Sequence, residues 1–195
     1  IVSPSGRTLD LEYDTSNRIQ AAVDHTGRRW SYVYDTNGLL KDVVYPDNKA
    51  KHYAYQVRLQ GGQVQQHRIE SMTDRRGHRV FLNEFEIVNG LSTGRVIRQT
   101  LADDTQIQIN YNHVDNGVVG TLVTEADGSR HRYVFDPNTP YLLSETTANG
   151  TALAQTYTYQ RNAYGQLIAT VDPLLRRTQI DYDSAGRIEK VTALA

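Results

Sequence analysis

The sequence lacks cysteine, long apolar runs and an excess of charge of either sign, and each absence excludes a class of protein. Without cysteine, the 195-residue chain has no disulfide framework, thiolate nucleophile or zinc–thiolate site. Its longest apolar runs, such as residues 43–45, are far shorter than the roughly 20 residues of a membrane-spanning helix. A balance of 21 basic against 22 acidic residues offers no electrostatic case for nucleic-acid or anionic-membrane binding, although a local patch stays open.

Phenylalanine and tryptophan are also scarce, whereas tyrosine is abundant. The chain has 13 tyrosines against 3 phenylalanines and 1 tryptophan. Three tyrosines recur at intervals of 21 residues, and five aromatic residues follow at longer intervals. These aromatic marks are Tyr13, Tyr34, Tyr55, Phe85, Tyr111, Phe135, Tyr159 and Tyr182. Recurrence at a spacing of this size predicts a repeat architecture.

The residues around each mark predict a strand, a turn and a second strand. Every second residue before a mark is large, as in Trp30, Tyr32 and Tyr34, and a period of two is typical of a half-buried strand. A polar turn such as residues 35–38 follows, in which Asp caps backbone amides and Gly or Asn accepts positive φ. A second strand and a second turn, such as residues 24–27, complete the unit.

The repeat length leaves roughly 5 to 7 residues for each strand and no room for a helix. We therefore predict an all-β fold of about eight strand–turn–strand units, forming one domain over residues 1–195. Residues 56–66 and 85–95, which contain Gly61-Gly62 and Asn89-Gly90, are predicted to be longer loops or extended hairpin tips.

At this point the sequence resembles the Rhs or YD-repeat family. The signature of that family is Tyr-Asp-x-x-Gly-Arg-Leu, a spacer and Asp-x-x-Gly-Arg. Residues 182–188 read Tyr-Asp-Ser-Ala-Gly-Arg-Ile and match almost fully, whereas residues 34–40 lack the arginine and residues 13–19 replace the glycine with asparagine. Residues 24–28, Asp-His-Thr-Gly-Arg, supply the second half. The units around Phe85 and Tyr111 are degenerate.

The resemblance implies a spiralling antiparallel sheet that forms part of a hollow shell around a C-terminal toxin domain. Two physical arguments favour a shell. Tyrosine suits a sheet whose inner face is wet, because its ring packs while its hydroxyl finds a partner. An isolated array also leaves two open edge strands that require caps or neighbouring protein. Because the chain begins with Ile1 and shows no leader, we expect a fragment of a longer chain.

The polar residues give little support for catalysis or for a metal site. None of the histidines forms a short ligand pair, and turn or strand-surface roles are favoured. Asp103-Asp104 lies where the repeat places a turn, and Glu84 and Glu86 flank a mark without calcium-loop spacing. No serine lies in a nucleophile elbow. The histidines are His25, His52, His67, His78, His113 and His131.

Four further motifs have both a functional and a structural interpretation. Residues 172–175, Asp-Pro-Leu-Leu, come nearest to the Asp-Pro-x-Gly-Leu cleavage motif of the family but lack its glycine, so a turn is favoured there and at Asp136-Pro137. Trp30 could stack on a sugar, although sheet packing is favoured. Asn149-Gly150-Thr151 is formally a glycosylation sequon, and its Asn-Gly pair predicts a hairpin turn.

We therefore predict no enzyme activity, no catalytic, cofactor-binding or metal-binding residues, and no cofactor. The main hypothesis is a shell segment of a secreted Rhs-type bacterial toxin, associated through the resemblance with type VI secretion and interbacterial competition. Its partners are the rest of its parent chain, including a toxin domain, and possible secretion-machinery or chaperone proteins. The alternative is an extracellular adhesion or carbohydrate-binding array at a cell surface. Neither nucleic-acid binding nor membrane insertion is expected.

Overall fold

The chain consists of strands and turns throughout the part that the structure describes. The computed structural model describes residues 1–60 and 63–194, and the side chains outside 57–66. Within these residues it has sixteen β-strands and no helix, which confirms the all-β prediction. The described part therefore contains no helix long and apolar enough to cross a membrane.

The strands follow one another as successive hairpins. All sixteen belong to one antiparallel sheet in which strand order equals chain order, two strands to each predicted unit. The bounds are β1 Leu9–Tyr13, β2 Ile19–Asp24, β3 Arg29–Tyr34, β4 Leu40–Val44, β5 Ala50–Gln60, β6 Gln63–Thr73, β7 Arg79–Val88, β8 Leu91–Leu101, β9 Gln106–Asp115, β10 Val118–Thr124, β11 Arg130–Phe135, β12 Leu142–Thr147, β13 Gln155–Arg161, β14 Leu167–Val171, β15 Arg177–Tyr182 and β16 Ile188–Leu194.

The chain divides into two compact units, Ile1–Gln106 and the part from Ile107 onward. The first unit holds β1–β8, and the second holds β10–β16 with nearly all of β9. Both are built from local antiparallel pairs. The prediction of a single domain over residues 1–195 stays a prediction.

A β-bulge lies beside most of the aromatic marks. Tyr34 pairs with Leu40, whereas the preceding Val33 pairs with Asp42, which leaves Lys41 as an extra residue. Such a bulge bends the strand and increases its twist. The register shifts in the same way beside Tyr13, Tyr55, Phe85, Phe135 and Tyr182.

The seventh unit corrects the position of one mark. There the bulge lies beside Arg161, which pairs with Leu167, and the turn begins at Asn162. Arg161 therefore occupies the position that Tyr34 holds in its own unit, and the predicted mark Tyr159 lies two residues earlier. Sequence spacing alone placed the mark wrongly because a nearby tyrosine has the same strand parity.

Three hairpins have longer strands than the predicted 5 to 7 residues. β5 and β6 have 11 residues each, β7 and β8 have 10 and 11, and β9 has 10. Asn89-Gly90 forms a two-residue turn with both φ values positive, which confirms an extended hairpin tip there. Gly61-Gly62 lies outside the described residues. Asn116-Gly117 forms a second such turn that was not predicted.

Few apolar side chains are buried in either of the two compact units. Ala21, Ala22 and Phe85 are buried in the first, with Ala21 fully covered, and the second buries Leu122, Val134 and Ala169. Small residues lie opposite large ones, as where Ala22 pairs with Trp30. Most side chains on the strands are half-exposed, as is typical of a sheet that is not covered by a second layer.

Candidate functional site

The most regular arrangement of polar groups is a five-residue turn built around an aspartate. At residues 183–187, the amide of Asp183 donates to the carbonyl of Arg187 and the amide of Gly186 donates to the carbonyl of Asp183, both at 2.9 Å. The Asp183 carboxylate accepts from the amides of Ala185 and Arg187 at 2.9 Å and from the Arg187 Nε at 2.8 Å. One side chain thus satisfies the backbone of the whole reversal.

The same network recurs in both compact units. It is found after the strand that carries the aromatic mark and also after the second strand of a repeat. An arginine four residues after the aspartate clamps the free carboxylate oxygen in four of these turns, pairing Arg18, Arg28, Arg176 and Arg187 with Asp14, Asp24, Asp172 and Asp183. At Asp35 the fifth residue is Leu39, and only the backbone bonds remain. Asn162 forms the turn with an amide oxygen. Sequence reasoning identified the capping aspartate but missed the arginine clamp.

These hydrogen bonds favour the ionised carboxylate. The backbone amide of Arg18 holds the pKa of Asp14 below its usual value, with the Arg18 guanidinium adding to the effect. The hydroxyl of Thr26 and then the guanidinium of Arg28 do the same for Asp24. The ionised aspartates therefore stabilise these turns more than protonated ones would, and we expect the stability of the array to fall in acid.

Glycine is favoured in these turns for two separate reasons. Gly38 and Gly186 have φ values of 80° and 78°, in the left-handed region that side chains disfavour. A Cβ at Gly38 would also lie 3.2 Å from Arg18 Nη1, and one at Gly186 would lie 3.3 Å from Gln166 Nε2. The glycine of one turn therefore makes room for the side chain that closes the turn one unit earlier.

The mark tyrosines connect each unit to the one before it. Tyr34 donates from its hydroxyl to the carbonyl of Ile19 at 2.8 Å. The same bond, also across 15 residues, joins Tyr55 to Leu40 and Tyr182 to Leu167. Each acceptor lies at the bulge of the preceding hairpin. The hydroxyl explains why these positions are tyrosine.

The degenerate unit around Phe85 satisfies the same kind of carbonyl in another way. Asn83 Nδ2 donates to the carbonyl of Ile69 at 3.0 Å, and Ile69 pairs with Tyr55 at the bulge of the preceding hairpin. In the unit of Phe135, the buried Arg132 donates from Nη2 at 2.7 Å to the carbonyl of Val118, which lies at the tip of the β9–β10 hairpin. Where Asn83 reaches the bulge carbonyl, the mark needs no hydroxyl.

Tyr159, which lies outside the mark position, has a different partner. Its hydroxyl donates to the Glu145 carboxylate at 2.6 Å. Partial burial, followed by the bond to Glu145, raises the pKa of Tyr159 to about 12. The phenol therefore serves as a neutral cross-strand donor.

The structure separates most of the histidines and places two of them beside aspartates. His52 Nδ1 lies 2.6 Å from Asp42 on the neighbouring strand, and His78 Nδ1 lies 3.9 Å from Asp74 in its own turn. His131 is half-buried on β11. No group of three or more His, Asp or Glu side chains in residues 1–60 and 63–194 could hold a metal ion. His25, His67 and His113 lie at other places along the sheet.

The acidic residues considered from sequence take part in structural contacts. Asp103 accepts from the amide and hydroxyl of Thr105 in the turn after β8, as predicted for a turn. Glu84 pairs with Arg98 at 3.2 Å, and Glu86 accepts from the Thr93 hydroxyl at 2.7 Å. Asp104 pairs with Arg79. Asp103 and Asp104 therefore contact different partners.

The proline motifs both form turns, as predicted. Asp172 accepts from the amides of Leu174 and Arg176, and Asp136 accepts from those of Asn138 and Thr139. Leu175 stands where other turns have glycine and adopts a φ of 64°.

Trp30 and the sequon also have structural environments. Trp30 is half-buried on β3, with the Arg28 guanidinium 5.7 Å from its ring centroid. Asn149 is buried, and its backbone amide donates to the carbonyl of Arg130. The predicted turn at Asn149-Gly150 is present, since the backbone amide of Thr151 donates to the carbonyl of Ala148 at 3.2 Å. It is part of a longer reversal over residues 148–154 between β12 and β13 and is not a two-residue hairpin turn.

The turn at residues 14–18 and the tyrosines on either side of it lie within a stretch that matches a known family model. Residues 13–50 match the model described as RHS Repeat. The chain carries an RHS repeat. The match covers β2 to β4 and the turns between them, where the aspartate turns and the Tyr34 hydroxyl bond are found. Outside the matched residues, the aspartate turn and the tyrosine hydroxyl bond recur at Asp183 and Tyr182.

Comparison with solved structures finds chains in structures of TcdB2–TccC3. The chain is 12% identical to a chain in the structure of TcdB2–TccC3, with 96% of its own length and 9% of that chain covered and a TM-score of 0.48. For TcdB2–TccC3–Cdc42 the identity is 13%, the coverage 97% and 10%, and the TM-score 0.41. The chain thus spans about a tenth of the solved chains it matches. No curated protein matches it.

Proposed function

We propose that this chain is a structural segment of the shell of an Rhs-type secreted bacterial toxin, which encloses or carries a C-terminal effector domain. The observation that carries the proposal is the RHS repeat at residues 13–50, whose turn network recurs in both units. The proposed role is not enzymatic. The proposed partners are the rest of the parent chain, with its toxin domain, and the secretion or chaperone proteins that act on it.

The proposed mechanism is steric sequestration by a continuous sheet. Asp turns satisfy the backbone at the reversals, and tyrosine hydroxyls, or Asn83 in one unit, satisfy carbonyls at the bulges. A sheet built in this way can extend by adding units, because each unit contacts mainly its neighbours. Half-exposed faces leave room for a wet interior that holds a cargo without a specific binding pocket.

The test uses the full parent protein, expressed from its complete open reading frame. Limited proteolysis should leave its C-terminal region intact while the repeats are folded. The region should become sensitive when the array is opened by replacing several turn aspartates with alanine in one variant. A matched variant carries the same number of substitutions at exposed serine and threonine positions outside the turns, and its C-terminal region should stay protected.

Two results would contradict the proposal. One is a parent protein whose C-terminal region is cleaved as fast in the folded protein as in the opened variant. The other is reproducible nuclease, glycosidase or esterase turnover by the purified 195-residue chain that a single substitution abolishes.

A further inference from the structure

Two neighbouring turns within the compact unit Ile1–Gln106 border a polar cavity. Residues 45–49 connect β4 to β5 and residues 74–78 connect β6 to β7, and because β5 pairs with β6 the two turns lie at the same end of the sheet. The cavity between them has a volume of about 370 Å³. It is lined by Asp47, Lys49, Lys51, Asp74, Arg75 and Arg76.

One cation and both carboxylates of this cavity already have partners. Arg75 pairs with Asp47 across the two turns, and its guanidinium lies 4.2 Å from the centroid of the Tyr45 ring. Asp74 accepts from the amides of Arg76 and His78 at 2.7 and 3.0 Å, so its carboxylate closes its own turn. Arg75 is therefore fixed as one wall of the cavity.

The other three cations remain without such partners. The side chains of Lys49, Lys51 and Arg76 make no hydrogen bond or ion pair with any of residues 1–60 or 63–194 that the structure describes, beyond the electrostatic attraction of Arg76 to Asp74. Four cations against two carboxylates leave the cavity with a formal charge of +2. The whole chain carries −1, so this is a local concentration of positive charge.

A second cavity within residues 1–106 has arginines that are paired with carboxylates. It is lined by Arg28 and Arg29, but there each arginine is neutralised, Arg28 by Asp24 and Arg29 by Glu12. Lys49, Lys51 and Arg76 line one cavity without that compensation, and an anion bound there would reduce the repulsion between their like charges.

We propose that this cavity binds the oxyanion group of a phosphate or sulfate ester. The planar guanidinium of Arg76 suits two oxygens of a tetrahedral anion, and the two ammonium groups supply point charges for the others. Arg75, held by Asp47 and Tyr45, positions the wall against which the anion lies. The site is independent of the shell role and would give the repeat array an affinity for phosphorylated or sulfated molecules.

The experiment titrates the isotope-labelled 195-residue chain with glucose 6-phosphate, glucose 6-sulfate and, as the uncharged control, glucose, followed by backbone amide NMR at low salt. Amides of residues 47–51 and 74–76 should shift saturably with the two esters and stay unchanged with glucose. The ester that binds more tightly identifies the natural source of the oxyanion.

Variants locate the binding. K49A/K51A should weaken the affinity by about tenfold, as expected for two lost charge-assisted contacts, and Arg76→Gln should weaken it separately. The matched control is K41A/K190A, which removes the same charge outside the cavity and should change the affinity less than about twofold. Spectra without ligand establish that each variant is folded.

The proposal is overturned if neither ester shifts these amides saturably. Equal weakening by K49A/K51A and K41A/K190A would also overturn it, because binding would then reflect net charge alone.

Discussion

The hairpins β15–β16 and β7–β8 both reverse the chain direction, but they use different turn residues. The first has strands of 6 and 7 residues, a five-residue aspartate turn and a mark tyrosine whose hydroxyl bonds to the preceding bulge. The second has strands of 10 and 11 residues, a two-residue Asn89-Gly90 turn and Phe85 as its mark. Ile87, Val88 and Leu91 are about half exposed at its tip.

What the two hairpins share is the bulge beside the mark. The carbonyl of the preceding bulge is bonded in both cases, by Tyr182 in one and by Asn83 in the other. The comparison teaches that the repeat is defined by a backbone geometry and a satisfied carbonyl, and that tyrosine is the usual means to that end. Ionised aspartates stabilise the regular hairpins, whereas burial of the mark stabilises the extended one.

Acid is expected to have the largest effect and to separate the two kinds of hairpin. Hydrogen bonds lower the folded-state pKa of eight turn aspartates, so their contribution to stability is present above the unfolded value of 3.8 and is lost as the pH falls below it through the folded values. Hydrogen-exchange protection, corrected for intrinsic rates, should fall first in the regular hairpins. The eight are Asp14, Asp24, Asp47, Asp74, Asp103, Asp127, Asp172 and Asp183.

A control for this experiment already exists in the chain, because Asn162 forms the same turn without a carboxylate. Asp183→Asn should keep the β15–β16 turn and remove its dependence on acid. Equal loss of protection at the β7–β8 tip and at β15–β16 would contradict the comparison.

Among single substitutions, Phe85→Ala is expected to have the largest effect. Phe85 is 8% exposed, and removing a buried phenylalanine costs about 3 kcal/mol through lost burial and the resulting cavity. Phe135→Ala is the matched change at a mark that is 45% exposed and should cost about half as much or less. Urea unfolding of both variants measures the difference, and equal costs would refute the role of burial.

Tyr34→Phe should destabilise the protein by about 1 kcal/mol, because the carbonyl of Ile19 loses its hydroxyl donor while the ring is kept. Tyr13→Phe is the control, since the Tyr13 hydroxyl has no hydrogen-bond partner in the described part of the chain and its residue is 51% exposed. Thermal and urea unfolding should leave that variant unchanged. A similar loss in both variants would show that the hydroxyl acts through solvation and not through the carbonyl.

The smallest expected effect is a gain in stability from Leu175→Gly. Leu175 is 83% exposed and has a φ of 64°, a conformation that costs a side chain roughly 1–2 kcal/mol. The greater freedom of glycine in the unfolded chain offsets part of the relief, leaving a gain of about 0.5 kcal/mol. Leu174→Gly, at a position without positive φ, should only destabilise. A loss of stability in both variants would contradict the strain at Leu175.

Several features of the fold could be predicted because they depend on residues close together in sequence. Alternation around Trp30 and Tyr34 predicted strands, and aspartate followed by glycine or asparagine predicted turns. Asn116-Gly117 carried an equally local signal that was overlooked. The mark at Tyr159 was placed wrongly because parity does not distinguish positions two residues apart, whereas the bulge beside Arg161 does.

The candidate anion site illustrates what local reasoning cannot reach. Lys49 and Lys51 lie at the start of the β5–β6 hairpin and Arg76 follows its end, and nothing in their spacing indicates a common cavity. The overall charge of −1 concealed their local excess. Likewise, the buried Arg132 and the capping Asn83 look like ordinary surface residues until the register brings each to a carbonyl 14 residues away.

The sequence by itself determined an array of about eight strand–turn–strand units, with no helix in the residues that the structure describes, because a period of two and turn chemistry are short-range properties of the chain. Tertiary structure decided where each bulge lies, which side chain bonds to its carbonyl and which charges share a space. These depend on strand register, which brings together groups that sequence distance keeps apart. The mark tyrosines depend on both. Their spacing is visible in the sequence, whereas the carbonyl that accepts each hydroxyl is known only from the strand register.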